Sequence, residues 1–118
     1  MATPTIFTPI AVDPVQLGTS VSTLYTAGAS GAILDYITIT NDTTTADQVT
    51  IYYVNSGGTA GDTNILVKNL TIPGDGSATN ILEIINARPF HMEASGTIQG
   101  LADTANQFTV HIGGVDYA

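Results

Sequence analysis

AILDYITITNDTTTADQVTIYYV, residues 32–54, decides how this chain folds. Both arms of the stretch carry Ile, Val, Tyr and Thr at nearly every position, and a polar run of Asn, Asp and Thr separates them. Branched and aromatic side chains suit a pleated, half-buried surface, so the pattern predicts a β-hairpin. On the first arm Ile33, Ile37 and Ile39 alternate with Tyr36, Thr38 and Thr40. On the second, Val49, Ile51 and Tyr53 alternate with Thr50, Tyr52 and Val54. A period of two sends one set to each face of a sheet. One face builds a core. The other is Thr and Tyr rather than Lys and Glu, which suits contact with another protein better than contact with water alone.

Ahead of this stretch, residues 1–14 hold Pro4, Pro9 and Pro14 with Ile6, Phe7, Ile10 and Val12 between them. Proline fixes φ and lacks an N–H, so the segment reads as an extended N-terminal arm that cannot sit inside a sheet. Its apolar residues suit docking on a neighbouring subunit or on the side of its own domain, and its removal is expected to leave the fold intact. Residues 15–25 supply one or two short strands, and AGASG at 27–31 is a turn. After the central stretch, NSGGTAGD at 55–62 is a flexible connection, NILVKNLTI at 64–72 a strand, and PGDG at 73–76 a dense turn signal. Residues 78–85 fit a strand or one helical turn, with their context favouring the strand; residues 87–94 are irregular around Pro89, and the last two strands fall at 96–101 and 107–117. Gly113 and Gly114 allow a bend in the final one. The count is about seven to eight short strands spaced by turns, which predicts an all-β antiparallel β-sandwich or jelly-roll-like small barrel. The arm, 1–14, precedes a single domain, 15–118.

Composition narrows the possible partners. Two Lys and Arg against ten Asp and Glu give a formal charge of −8 over 118 residues. Such a chain cannot neutralise phosphates, so no nucleic acid is expected, and clustered basic residues for anionic lipid are lacking. No apolar run approaches the ~20 residues of a membrane helix, and the N-terminus has no signal-peptide pattern, so synthesis in a cytoplasm is expected. Cysteine is absent, which removes disulfides and thiolate chemistry. A charged fraction of 10% is low against the ~25% of ordinary domains and points to surface that is buried on assembly.

Catalysis needs a nucleophile or acid–base group, an orienting partner and a charge stabiliser brought together. His91 and His111 are the only imidazoles, and both read as surface or interface residues. Asp42, Asp47, Asp62 and Asp75 are loop carboxylates that would suit Ca²⁺ in principle, but their spacing matches no calcium loop, and Asp is ordinary in turns. Glu83 and Glu93 make a glycosidase pair only if they face each other. Tyr25, Tyr36, Tyr52, Tyr53 and Tyr117 would suit a sugar platform, an interface or a core. No enzyme activity, metal or cofactor is expected.

LGTSVSTLYTA (17–27), AILDYITITNDT (32–43), VTIYYVNSGG (49–58) and GTIQGLADTANQFTVHIGGVDY (96–117) together resemble small β-sandwich virion structural proteins of tailed bacteriophages. The shared features are a Leu-Gly-Thr-Ser and Leu-Tyr-Thr opening, a strand ending in Thr-Asn, a central strand leading into a Gly-rich connection, and a closing strand with Gly-Val near its end. Residues 64–93 carry no family pattern. Within that group the short acidic sandwich with an arm looks most like a capsid decoration or cement protein. The resemblance implies a noncatalytic virion protein on the capsid surface, bound to the major capsid protein and bridging capsomers, with a homo-oligomer, a trimer, as the favoured state. Candidate contacts are Ile6, Phe7, Ile10 and Val12 on the arm and Tyr36, Tyr52 and His111 on the sheet. The alternative is a tail, baseplate or fibre module that binds host glycans.

Overall fold

The computed structural model describes residues 7–10, 14–41, 43–74, 81–85 and 90–117. They form ten strand segments: β1 (Phe7–Pro9), β2 (Val15–Gln16), β3 (Ser22–Thr26), β4 (Ala32–Asn41), β5 (Asp47–Val54), β6 (Ile65–Ile72), β7 (Ile81–Ile85), β8 (Phe90–Met92), β9 (Thr97–Ala102) and β10 (Phe108–Tyr117). All pairings are antiparallel, and no helix occurs among the described residues. In one sheet β10 and β4 lie side by side, β1 and then β2 follow the outer edge of β10, and β7 and then β8 follow the outer edge of β4. The other sheet runs β3-β9-β5-β6. With each interrupted edge taken as one strand position, there are two sheets of four strands, eight in all. Between those eight positions the chain changes sheet at every link except β5 to β6. That connectivity is a jelly roll.

Residues 32–54 are therefore not a hairpin. β4 and β5 stand in opposite sheets, β4 between β10 and β7/β8, β5 between β9 and β6. The physical reason lies in their apolar sides. Ile37 and Ile39 on β4 and Val49 and Ile51 on β5 are all at most 1% exposed. Paired in one sheet, the two arms would present one shared apolar face that still needed a cover. Placed centrally in two sheets, they cover each other, and burial of this kind is worth roughly 25 cal/mol per Å². β9 fits beneath because Gly100 faces inward. A Cβ there would come within 2.7 Å of the Ile51 side chain and 3.3 Å of Leu24.

The crossing from β4 to β5 is held by Asn41, a fully buried amide. Its Nδ2 donates to the carbonyls of Thr45, Ile72 and Pro73 at 3.0, 3.3 and 3.2 Å. Its Oδ1 accepts the Thr43 N–H at 3.0 Å and the Thr43 hydroxyl at 2.7 Å. Gln107, just before β10, also donates to the Thr45 carbonyl. One amide thus ties the crossover to the end of β6.

β4 also reverses its faces midway. Tyr36 pairs with Gly113 and Leu34 with Gly114, which leaves Asp35 unpaired as a bulge. Inward positions are therefore Ala32 and Leu34 before the bulge and Ile37, Ile39 and Asn41 after it. Ile33, expected in the core with Ile37 and Ile39, instead faces outward. Gly114 is required at the bulge: its φ is +150°, and a Cβ would lie 2.1 Å from the Ile33 carbonyl oxygen.

At the N-terminal edge, Phe7, Thr8 and Pro9 pair with Tyr117, Asp116 and Val115, and the Ile10 N–H reaches the Gly114 carbonyl at 3.0 Å. Ile10 and Val15 pack against the core. Proline is tolerated there because an edge strand has one side without ladder bonds. A deletion through Pro14 would remove β1 and its pairing with β10. Residues 90–92, expected to be irregular, are β8, paired with Ala32, Ile33 and Leu34.

The two sheets are also joined near the β10 terminus. The Tyr25 hydroxyl donates to Asp116 Oδ1 at 2.9 Å, and the Gly28 N–H donates to the same oxygen at 3.0 Å. Burial, and then the neighbouring carboxylate, raise the Tyr25 phenol well above its ordinary range.

Two outcomes follow for stability. Asn41→Ala should lower the urea midpoint at unchanged m, by about 1–3 kcal/mol, because the buried Ile72 carbonyl and the part-buried Pro73 carbonyl lose this donor; an unchanged midpoint would show that the amide is dispensable. Because the folded phenol holds its proton where the unfolded one releases it, stability should fall as pH rises above ~10. Tyr25→Phe should flatten that alkaline fall in denaturation curves taken at several pH values.

Candidate functional site

The outer face of the β4–β10 sheet is built by the alternation just described. β4 presents Thr40, Thr38, Tyr36 and, beyond the bulge, Ile33; β10 presents Thr109, His111, Gly113 and Val115. In register, Gln16, Thr109 and Thr40 form one row, His111 and Thr38 the next, Gly113 and Tyr36 a third, and Val115, Ile33 and His91 a fourth. Glu83 of β7 is the partner of Thr38 on the side away from β10. The Tyr36 ring lies against the backbone at Gly113, where a Cβ would stand 2.1 Å from Cε1. Glycine there lets the ring lie down on the sheet while the residue remains 42% exposed. His111 and His91 are both exposed on this same face.

Tyr36 and His111 therefore occupy neighbouring rows of one surface. Tyr52 does not join them. It is half-buried on the outer face of the opposite sheet, between Gln99 and Ile65, because Ile51 and Tyr53 on either side point to the core. Of the arm residues, Phe7 has its backbone paired with Tyr117, Ile10 is half-buried against the core, and Ile6 and Val12 lie outside the described residues. Sequence reasoning missed Ile33, Val115 and His91 as members of the face. The adjacent glycines 113 and 114 carried the signal, since a bulge at that point reverses the parity of β4.

A second feature lies at one end of the sandwich. An open pocket of about 530 Å³ is lined by Tyr53, Ile65, Leu66 and Phe90 and by Asn55, Thr59, Thr63 and Asn64. Its aromatic pair comes from different sheets, with ring centroids 5.0 Å apart and planes at 89°. The Tyr53 hydroxyl accepts the Glu93 N–H at 2.9 Å, and Glu93 Oε1 accepts the Ser56 N–H at 2.8 Å. The β5–β6 connection is braced by Asn64, whose Oδ1 accepts the Gly61 N–H and whose Nδ2 donates to the Thr59 carbonyl, both at 2.9 Å. The loop itself holds no aromatic residue. The strands beneath supply both rings.

Among the described residues the carboxylates do not converge. Among the described residues no three His, Asp or Glu side chains gather as a metal site. Asp42 and Asp75 lie outside the described residues, and Asp62 pairs with Lys68 at 3.5 Å on the surface. Asp47 keeps one buried oxygen without a hydrogen-bond partner in the described structure. Glu93 Oε1 accepts the Ser56 N–H, and the Glu83 side chain lies outside the described residues.

No known protein family, characterised protein or solved structure matches the chain.

Proposed function

We propose that this protein is a noncatalytic structural component of a bacteriophage virion, a capsid decoration protein that binds the major capsid protein from outside and bridges capsomers. The observation that carries the reading is the outer face of the β4–β10 sheet, whose rows on β4, β10 and β8 are Thr, Tyr, His, Ile and Val, with Glu83 of β7 the one acidic position in register beside them, in a chain of net charge −8. Charged residues cost most to desolvate, so a face low in charge is the one that protein contact can cover at least cost. Ten residues of β4 and four strand positions give that face a footprint of about 34 by 19 Å. That approaches the ~800 Å² per partner of a standard interface, and the N-terminal segment beside β10 would extend it. The acidic remainder would keep the free protein soluble and turned away from the shell. A closed threefold arrangement, in which each subunit uses two patches, fits the resemblance in sequence.

Co-sedimentation with expanded capsids that lack the protein tests the reading, with light scattering to give the mass in solution. The expected result is a trimer that binds capsids and raises their melting temperature. Tyr36→Asp and His111→Asp should each weaken binding by roughly tenfold or more, as charges placed in a buried contact do. Thr23→Asp, on the opposite sheet, should leave binding unchanged. Full binding by the Tyr36 and His111 variants, or no binding by the native protein, would overturn the proposal.

A further inference from the structure

The pocket beneath the β5–β6 connection is left unused by the capsid reading, and its chemistry is specific. Four apolar side chains, Tyr53, Phe90, Ile65 and Leu66, line it together with two amides and two hydroxyls, and no charged side chain lines it. Its volume of about 530 Å³ falls within the ~300–1,000 Å³ of small-molecule sites.

Each class of ligand can be weighed against that lining. An anion would meet no Lys or Arg there and would approach a chain of charge −8. A cation would find no carboxylate among the lining residues. A purely apolar molecule would strip water from Asn55, Thr59 and Thr63, whose side chains have no hydrogen-bond partner among the described residues, and unpaired polar groups are costly to desolvate. A neutral pyranose satisfies both halves of the lining. Its C–H face covers an aromatic ring, while its hydroxyls exchange water for amide and hydroxyl partners. The Tyr53 hydroxyl accepts the Glu93 N–H, which holds the ring in place. Asn64 holds the loop closed from within, so the polar side of the pocket is preorganised.

We propose that this pocket is a binding site for an uncharged sugar, with the Tyr53–Phe90 pair as its apolar floor and Asn55, Thr59 and Thr63 as its hydrogen-bonding side. The site lies at the end of the sandwich and does not use the outer face of the β4–β10 sheet, so it stands independently of the capsid contact.

The test is an amide NMR titration of the full chain with methyl glucoside, methyl galactoside, methyl mannoside, N-acetylglucosamine and lactose, with sialyllactose and inorganic phosphate as charged probes. The expected result is saturable shifts at Tyr53, Asn55, Thr63 and Ile65 with at least one neutral sugar, at about millimolar affinity. Asn55→Ala should weaken that binding by roughly tenfold, the share of one hydrogen bond. Lys68→Ala, outside the lining, should not change it, and both variants should keep the native spectrum elsewhere. The proposal is overturned if no neutral sugar shifts these amides, if the shifts map away from the pocket, if the charged probes bind as well as the neutral ones, or if Asn55→Ala binds like the native chain. Capsid binding by the same samples is read separately, so each proposal can fail alone.

Discussion

Asn41 satisfies both ends of its amide inside the protein, and the rest of the architecture depends on that closure. A jelly roll asks the chain to leave one sheet at the end of β4 and enter the other at β5, which leaves backbone carbonyls at the crossing outside the strand ladders. The amide meets three of them and takes two donors in return. A buried polar group that is fully paired adds directional constraint that apolar packing lacks. Here it ties the β4–β5 crossing to the end of β6, in the sheet that β5 enters.

From that constraint the packing follows. β4 and β5 stand in the interior of their sheets, and each takes its ladder partners from distant parts of the sequence, β10 and β9. Such long-range pairing makes closure entropy large and folding slow relative to a chain of local hairpins. The Asp35 bulge then rotates the first part of β4 so that Leu34 rather than Ile33 is buried, and Gly114 makes the bulge sterically possible. Tyr25 and Asp116 fasten the sheets near the β10 terminus by one hydrogen bond.

The same devices shape the surfaces. Past the bulge, Ile33 joins Val115 and His91 on a face that already carries Tyr36, Thr38 and His111, so one irregularity both completes the core and enlarges the low-charge face. At one end, the meeting of Tyr53 and Phe90 across the sandwich leaves a pocket under a loop that is polar along its own length. Neither surface repeats the other's chemistry: one is broad, and the other is concave with an aromatic floor.

The sequence by itself determined the class of the fold, because a period of two in Ile, Val, Thr and Tyr, punctuated by Gly, Asn and Pro, permits little other than antiparallel strands. In the last strand Phe108, Val110 and Ile112 alternate with Thr109 and His111, and the structure buries all three apolar residues. It located most strands between 15 and 117, and it named Tyr36 and His111, which do share a face. Only the tertiary structure decided that residues 32–54 cross between sheets, that Ile33 faces outward, that Tyr52 lies on the opposite surface and that Phe90 meets Tyr53. Alternation reports which side chains share a side of one strand, which is a local property. Which strand lies beside which, and which irregularity reverses a face, is fixed by how two apolar sheets cover each other, and that depends on residues far apart in the chain.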